Sequence, residues 1–566
     1  AATGVAELLA HGAPLGFDLL RTLVDDDAID AAERSGIIEV VRDSGRRDVQ
    51  FAYPMFGDVM RRNLTEVRTV SVCSRLLAAI EATPMRRRDD LVRAATWQLR
   101  AGGTLVSDDM VLAARRALYN DQQREAIEIS SRALQGEPGR TDVALLLALA
   151  LVANGEHARA EAELTAASEF RDDAEHALVA MQRAVILFWS MGDAAAADQL
   201  LDDALDVLQP GPWRDEVLAE RGLLASSQGK QRLGTSIVDP LIADPDVTDR
   251  VLITAAISGA SSRSIDGRCL DSIELCDRAM AACERIGRQP ALTQPAIFIV
   301  NRITAMTEAG QLEAAEAVGR AAHRHVVDEG NLEGQAWFSM LLGRTLLFRG
   351  EFAEAIELFV ESSVSFAAFH APGQRRWSMG GAVMGSVMLG DLDRARSFQA
   401  EMHALDGYPA RVMEIEARRA DAHVLYLEGR TGDAITMLRA IIDEFAPDGS
   451  YSLLGGLLHD IIRFGGSVAV DEWHLLDDHQ GELAPLRVDL GEAAASGSGA
   501  GLTACAARFA TIGAPVFAAE TCLLAAAAHH RAGEARAARR CDLRADALAR
   551  PHGRPLTIER LSSTPA

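Results

Sequence analysis

A short pattern that recurs along the chain limits what it can fold into. In LLLALALVANGEHARAEAELTAA, residues 145–167, two apolar helical segments flank a turn at Asn154–Gly155. Glycine permits the backbone conformation that ends a helix, and Ala160 and Ala167 are small enough for two antiparallel helices to approach closely. Further turns, each followed by alanine five residues later, begin at Asp121, Gly192, Gly310, Gly350, Gly390, Gly429 and Gly533. Because one register repeats along the chain, the sequence predicts an array of helical hairpins.

The spacing between turns indicates the kind of repeat. Turns are expected at residues 121, 155, 192, 229, 267, 310, 350, 390 and 429, at intervals of 34 to 43 residues. The shortest interval equals the tetratricopeptide unit, and the longer ones imply longer helices or loops. Stacked helix pairs of this kind form a superhelix whose concave face binds peptides, proteins or small ligands.

Composition and charge narrow the function classes. At 566 residues the chain is too long for one core, and 48% hydrophobic with 5% aromatic content favours alanine- and leucine-rich helices over sheets. The net charge of −24 argues against a chain that wraps nucleic acid along its length. The longest apolar run, residues 143–153, is too short to cross a bilayer. We therefore expect a soluble, cytoplasmic protein with no membrane partner.

No motif in the sequence indicates catalysis. Gly229–Lys230 is followed by Gln231 rather than by the Ser or Thr of a phosphate-binding loop. The acidic segment around His474 and Asp478 could present both side chains to a metal, but a solvated helix end is the commoner arrangement. The seven cysteines include no C-x-x-C pair, which indicates buried thiols in a reducing cytoplasm. We expect no enzyme activity and no cofactor in this chain.

The first 82 residues differ from the array. Three short helical segments precede β-leaning runs at residues 37–42 and 48–53, which are joined by the hairpin signal Asp43-Ser44-Gly45. Pro54 then begins a further helix. Three helices followed by a hairpin is the winged-helix arrangement, so we predict a winged-helix-like domain at residues 1–82.

A resemblance to a known family begins at residues 12–64. That segment reads GAPLGFDLLRTLVDDDAIDAAERSGIIEVVRDSGRRDVQFAYPMFGDVMRRNL. It resembles the winged-helix segment after the nucleotide-binding domain of large ATP-binding LuxR-family regulators, which are signal-transducing NTPases with a tetratricopeptide-like sensor and a terminal helix-turn-helix. The family commonly has His-Pro after the second wing strand, where this chain has Tyr53–Pro54. Because a histidine near this place can reach the nucleotide in related NTPases, the resemblance makes Tyr53 a candidate nucleotide-sensing position.

The resemblance continues along the chain and sets the expected domains. LVRAATWQLRA at residues 91–101 resembles the family's entry into its repeats. We predict a mainly α fold, in which the winged-helix subdomain is followed by an α-α superhelix of tetratricopeptide-like repeats at residues 88–480. C-terminal helical repeats at 483–550 and a linker-like tail at 551–566 complete it. Since the chain begins at Ala1 without an initiator Met, we expect a fragment of a longer bacterial polypeptide, whose absent NTPase domain would bind ATP.

Aromatic residues concentrate in one window of the array, between residues 337 and 377. One interpretation is a surface for an effector or partner, formed by Trp337, His370, Arg375, Arg376 and Trp377. The other interpretation is the core of a repeat, because two of the phenylalanines occupy positions that the repeat itself fills. Trp337 and Trp377 are expected to be the more exposed aromatic members.

These observations lead to one function hypothesis and one alternative. The hypothesis is the sensor and regulatory scaffold region of an ATP-dependent LuxR-type transcriptional regulator. An effector ligand or protein would bind the superhelix, and DNA would be bound only through a helix-turn-helix domain absent here, with self-association of the parent protein left open. The alternative is a free-standing tetratricopeptide scaffold that recruits other proteins.

Overall fold

The computed structural model describes residues 2–43, 46–83, 89–103, 108–120, 122–167, 169–287, 295–369, 371–405, 411–553 and 555–563. The chain divides into two compact units, Ala1–Glu175 (unit 1) and His176–Ala566 (unit 2). Helices make up nearly all the regular structure of the described residues. The predicted mainly α fold with a superhelical array of repeats is confirmed.

Unit 1 begins with helices and a three-stranded antiparallel sheet. These elements are α1 (Ala2–Gly12), β1 (Leu15–Gly16), α2 (Phe17–Arg21), α3 (Asp26–Arg34), β2 (Ile38–Asp43), β3 (Arg46–Phe51) and α4 (Pro54–Asn63). β3 pairs with both β1 and β2, and Val40 lies opposite Val49. The Asp25 side chain caps α3 by accepting a hydrogen bond from the Ala28 amide at 2.7 Å. The predicted helices and hairpin are present, while Ser44 and Gly45 of the hairpin turn lie outside the described residues.

Six further helices complete unit 1. They are α5 (Glu66–Glu81), α6 (Asp90–Arg100), α7 (Asp108–Tyr119), α8 (Gln123–Gly136), α9 (Thr141–Ala153) and α10 (His157–Ala166). The domain boundary that the sequence predicts at residues 82–88 stays a prediction, and the compact unit continues past these residues to Glu175. The reason lies on α6: the Trp97 side chain is buried in the N-terminal core, and its indole N–H donates to the His11 carbonyl at 2.8 Å.

Unit 2 is a succession of helical hairpins. Its helices are α11 (Asp173–Val185), which starts just before the division, α12 (Ala194–Val207), α13 (Pro212–Ser227), α14 (Gln231–Ala243), α15 (Asp249–Ile265), α16 (Cys269–Ile286), α17 (Ala296–Glu308), α18 (Leu312–Asp328), α19 (Leu332–Arg349), α20 (Phe352–Ala367), α21 (Pro372–Met388), α22 (Leu392–His403), α23 (Val412–Leu427), α24 (Thr431–Phe445), α25 (Tyr451–Arg463), α26 (Leu483–Ala495), α27 (Gly499–Thr511), α28 (Pro515–Arg531), α29 (Ala535–Ala549) and α30 (Leu556–Ser563). A π-helical turn spans Ile186–Ser190, and 3-10 turns span Ala446–Asp448, Val470–Leu476 and Arg550–His552.

The predicted turns and close helix contacts are confirmed. The backbone φ is positive at Gly192 (74°) and Gly350 (81°), a conformation that side chains with a Cβ rarely adopt. Positive φ values also occur at the other glycines predicted to form turns, namely 155, 229, 267, 310, 390, 429 and 533. Ala197 and Ala355, each five residues after such a turn, are completely buried. Asp121, the remaining predicted turn residue, lies outside the described residues.

The first helices of successive hairpins stack on one another in unit 2. α13 contacts α15, and the contacts continue through α17, α19, α21 and α23. α25 then returns to α15, where the Ser452 hydroxyl donates to the Ser264 carbonyl at 3.1 Å, across 188 residues of sequence. The Gln480 side-chain oxygen accepts hydrogen bonds from the amides of Leu270 and Asp271. These contacts close unit 2 around an interior formed by its first helices.

The C-terminal segment is predicted to be a linker-like tail at residues 551–566. Its described part contains α30, which packs against α28 and α21. Ile558 is buried, and the Arg560 guanidinium donates to the Leu427 carbonyl at 2.7 Å, at the end of α23. The helix α30 supplies both an apolar side chain and a cap for another helix, and the linker-like role of residues 551–566 stays a prediction.

The described helices include none that is long and apolar enough to cross a membrane. The seven cysteines are free thiols, and six of them are buried. Burial raises the pKa of Cys73 to about 11 and that of Cys276 to about 12. Thiols with raised pKa values are poor nucleophiles, so these side chains pack as small apolar groups.

Candidate functional site

A cavity of about 320 Å³ lies inside unit 2. Its wall is formed by residues of α13, α14, α15, α17, α19, α21, α23 and α25, together with Trp189 in the π-helical turn. The volume lies at the lower end of the range for small-molecule sites, about 300–1,000 Å³. Because the wall is assembled from many repeats, a molecule bound here would contact most of the stack of first helices at once.

The cavity wall is mainly apolar. Of its 23 described lining residues, 13 are apolar, eight are polar without charge and two are charged. Trp189, Trp337 and Trp377 are all half-buried on this wall. The Trp337 ring packs edge to face on Phe366, with the ring centroids 5.2 Å apart, and this contact holds its orientation. Two methionines complete the larger apolar groups, Met340 and Met413.

Two glutamine side chains on the wall have unused hydrogen-bonding capacity. Gln231 donates through Nε2 to the Ser226 carbonyl at 2.9 Å, but its Oε1 is buried without a hydrogen-bond partner in the described part of the chain. Oε1 of Gln374 is also unpaired there. A buried acceptor without a partner costs about 1–3 kcal/mol, which a hydrogen-bond donor on a ligand would recover.

The two charged residues on the wall neutralise each other. Arg344 Nη2 lies 2.5 Å from Glu308 Oε1 and 3.6 Å from Glu416 Oε1. All three side chains are buried. The wall therefore has no net charge, although Nη1 of Arg344 makes no hydrogen bond to other described atoms.

A series of buried ion pairs extends from this arginine through the interior. Arg419 Nη1 lies 3.3 Å from Glu416, and Arg419 Nε lies 2.7 Å from Asp460. Arg463 in turn contacts Asp460 at 2.8 Å and Glu520 at 2.7 Å. We call these pairs, together with Arg344 and Glu308, the buried ion network. It connects α17 and α19 at the cavity with α23, α25 and α28.

Asp460 is the centre of the buried ion network. It is completely buried and accepts hydrogen bonds from Arg419, His423 and Arg463. Burial raises the pKa of Asp460, but the charge of Arg419 and the contacts with His423 and Arg463 outweigh burial and hold the pKa well below its ordinary value. Burial lowers the pKa of His423. At neutral pH the network therefore contains a carboxylate and a neutral imidazole side by side.

The structure brings two of the predicted surface residues, Trp337 and Trp377, together in the cavity wall. They lie on α19 and α21, one repeat apart. Both are half-buried, whereas Phe369 of the same window is 44% exposed. The expectation that the two tryptophans are the more exposed aromatic members is therefore wrong. Their part in binding an effector stays a prediction.

The two predicted arginines do not line the cavity. Arg375 lies 3.7 Å from Glu401, and Arg376 Nε lies 2.9 Å from Glu414. These pairs connect α21 with α22 and α23, so the arginines hold neighbouring helices together. His370, the remaining predicted surface residue, lies outside the described residues.

Tyr53 lies in unit 1, directly before α4. Its side chain is 62% exposed, and its ring packs edge to face on Phe56 at a centroid distance of 5.6 Å. An exposed side chain at a helix start is available for contact with another molecule. Its role as a nucleotide-sensing position stays a prediction.

The buried ion network is a feature that the sequence interpretation missed. The signal lies in apolar runs that contain isolated charges, namely LLGRTLL at residues 341–347 and LLHDIIRF at residues 457–464. A charged residue inside such a run, on a helix packed on all sides, needs a buried partner. The partner cannot be read from the same run, because Arg344 pairs with residues on other helices.

The described residues include no group of three or more His, Cys, Asp and Glu side chains that could hold a metal ion. At the acidic segment considered from the sequence, the His474 ring contacts the Asp471 carbonyl at 2.5 Å.

The comparisons with known proteins concern the repeats. A tetratricopeptide repeat model matches residues 117–185, which include helices α8, α9, α10 and α11. No curated protein matches the chain. The match covers the end of unit 1 and the first residues of unit 2, near the predicted start of the array.

The similar solved structures include the following three. One is the Signal Transduction ATPase with Numerous Domains (STAND) protein with a tetratricopeptide repeat sensor from Pyrococcus horikoshii (TM-score 0.38, 12% identity, covering 78% of this chain and 64% of that chain). Another is Rap protein complexed with competence and sporulation factor (TM-score 0.42, 10% identity, 67% and 99%). The third is the APC/C hetero-tetramer Cut9-Hcn1 (TM-score 0.22, 13% identity, 78% and 97%). At these TM-scores the similarities support no functional conclusion.

Proposed function

We propose that this chain is the sensor region of an ATP-dependent LuxR-type transcriptional regulator and that it binds an effector in the cavity of unit 2. The observation that carries the proposal is the cavity itself. It has the size of a small-molecule site, and Trp337 and Trp377, predicted as effector contacts, lie in its wall. Output would occur through a DNA-binding domain outside this chain.

The N-terminal elements support the LuxR-type interpretation. Three helices and a hairpin follow one another, and the short strand β1 joins the sheet in the order β1-β3-β2. This is the element order of a winged helix, the domain that the resemblance assigns to residues 1–82. Tyr53 would then lie at the position from which related NTPases reach the nucleotide.

An effector in this cavity would act by favouring one arrangement of the repeats. The wall residues belong to eight helices, so a bound molecule contributes contacts that exist only when those helices are stacked as they are here. An effector can shift the parent protein between two states only by its difference in affinity for them. The buried ion network begins at the cavity and ends at α28, which also contacts α30. It gives the cavity a physical connection to the C-terminal helix.

A thermal-shift screen of metabolites tests the proposal. A compound at about 100 times its Kd stabilises by about 2.7 kcal/mol, which corresponds to about 3 °C for a unit with the size of unit 2. We expect at least one hit that loses its shift in Trp377→Ala but keeps it in Trp213→Ala. Trp213 is a half-buried tryptophan of α13 that does not line the cavity. If every stabilising compound gives the same thermal shift in Trp377→Ala as in wild type, the cavity is not the effector site.

The second candidate function is a free-standing tetratricopeptide scaffold. The observation that favours it is the tetratricopeptide match at residues 117–185, which includes none of the residues that line the cavity. The gene sequence around this segment separates the two candidates. A phosphate-binding loop encoded upstream and a helix-turn-helix encoded downstream would support the regulator, and stop codons at both places would favour the scaffold.

A further inference from the structure

We infer that the effector of this cavity is an uncharged, largely apolar small molecule with an aromatic ring system and at least one hydrogen-bond donor. The inference rests on the proposed function, since it names the ligand class of the same cavity. Three properties of the wall carry it: the paired charges, the cluster of tryptophans and the unpaired glutamine oxygens.

The charges on the wall exclude a ligand that is itself an ion. Arg344 and Glu308 lie 2.5 Å apart, and Arg344 also lies 3.6 Å from Glu416. An anionic ligand that approached Arg344 would meet these two carboxylates, and a cationic ligand would compete with Arg344 for them. An ion that leaves water needs a counter-charge of its own, and the remaining 21 described wall residues are uncharged. The wall therefore favours a neutral molecule.

The tryptophans favour an aromatic molecule. The chain contains six tryptophans, and three of them, Trp189, Trp337 and Trp377, line this one cavity. Indole rings bind planar aromatic groups through stacked and edge-to-face contacts. Met340 and Met413 add polarizable sulfur atoms, which also contact aromatic rings favourably. A saturated polar ligand such as a sugar would leave most of this wall without matching polar groups.

The unpaired oxygens specify the polar part of the ligand. Oε1 of Gln231 and Oε1 of Gln374 are acceptors without partners in the described residues, on two helices that face the same cavity. An N–H or O–H group of the ligand would satisfy either one. Arg344 Nη1, also unpaired there, suits a neutral oxygen of the ligand rather than a carboxylate, because Glu308 already supplies the counter-charge.

A pair of matched fluorescent probes tests the ligand class on the full chain. N-phenyl-1-naphthylamine is an uncharged aromatic amine with one N–H donor, and 8-anilino-1-naphthalenesulfonate has the same ring skeleton with an added sulfonate. We expect saturable binding of the uncharged probe, with energy transfer from tryptophan, and a Kd about tenfold or more below that of the sulfonate. Trp377→Ala should raise the Kd of the uncharged probe about fivefold, and Trp213→Ala should leave it unchanged.

A cavity-filling variant tests probe binding without relying on the removal of the Trp377 ring. Ser261 lies on the wall in α15, and Ser261→Trp would place a large side chain in the cavity. It should abolish binding of the uncharged probe without lowering the melting temperature. If Ser261→Trp does not fold, Trp377→Ala and Trp213→Ala still decide the question through their difference.

The outcomes separate the ligand class from the proposed function. If the sulfonate binds as tightly as the uncharged probe, and Trp377→Ala weakens both, the ligand class is wrong while the cavity still acts as a binding site. If the uncharged probe binds equally well to wild type, Trp377→Ala and Ser261→Trp, it binds elsewhere and the ligand class is again wrong. If no metabolite hit depends on Trp377 or Ser261 either, the proposed function is wrong as well.

Discussion

Replacing Asp460 with asparagine removes the central charge of the buried ion network and keeps the shape of the side chain. Asp460 accepts hydrogen bonds from Arg419 at 2.7 Å and from His423 and Arg463 at 2.8 Å each. The amide nitrogen of an asparagine is a donor, so it would oppose one of these donors instead of accepting from it. Removing one partner of a buried ion pair costs about 3–5 kcal/mol, because the remaining charge stays in the interior without compensation.

That free energy converts to a shift in melting temperature. The entropy of unfolding is about 2.1 cal/mol/K per residue, which gives about 0.8 kcal/mol/K for the roughly 390 residues of unit 2. A loss of about 4 kcal/mol therefore lowers the midpoint by about 5 °C. Calorimetry of the full chain at pH 7 measures it. Asp433→Asn is the matched control, because Asp433 pairs with Arg430 at 2.7 Å but both side chains are more than half exposed. We expect a control shift of less than about 1 °C.

Two results would refute this reasoning. One is a shift for Asp460→Asn no larger than that for Asp433→Asn, which would mean that the buried position adds nothing. The other comes from Asp460→Leu, which leaves all three donors without an acceptor and should melt below Asp460→Asn. If the leucine variant is as stable as the asparagine variant, the hydrogen bonds are not what the network contributes.

Three further predictions concern single side chains. Burial raises the pKa of Glu220 to about 7 from an ordinary value of 4.5. Its contribution to stability is therefore lost as the pH rises through that interval. The free energy of unfolding of Glu220→Gln, measured in urea, should rise relative to that of wild type by about 3 kcal/mol between pH 4.5 and pH 7.5. Ala355→Leu should destabilise by about 1–3 kcal/mol, because Ala355 is completely buried; the exposed neighbour Ala353 is the control, and equal melting temperatures for the two leucine variants would contradict the close contact. Thr557→Val removes the hydroxyl that donates to Glu520. It should lower the free energy of unfolding by about 1–3 kcal/mol and make α30 more accessible to proteases. Unchanged cleavage would show that α30 is held by other contacts.

The helical hairpins are largely readable from the sequence. A turn glycine followed by alanine five residues later is a local pattern, and it predicted the positions of positive φ and of completely buried alanines such as Ala197 and Ala355. Local patterns suffice to predict the hairpins because the two helices of each hairpin pack on each other within one repeat. The concentration of aromatic residues in one window also selects Trp337 and Trp377, which line the cavity, and their part in binding stays a prediction.

The sequence was less informative where a helix has a second, distant partner. The tail at residues 551–566 lacks the repeat pattern and is predicted to be a linker, and the pattern gives no sign that Arg560 caps α23, 133 residues away in sequence. The boundary near residue 82 stays a prediction, and across it Trp97 of α6 donates to His11 in the N-terminal core. Arg375 and Arg376 lie beside Trp377 in sequence, but their carboxylate partners keep them in helix contacts.

The sequence by itself determined the class of fold, the order of the hairpins and the positions of their turns, because these depend on residues within one repeat. Only the tertiary structure decided which side chains share the cavity and which charges meet. Trp189 and Leu453 line the same wall although more than two hundred residues separate them, and Arg344 finds its partners on α17 and α23. These contacts depend on the curvature of the helix stack. The curvature accumulates over many repeats, and the stack closes only where α25 contacts α15.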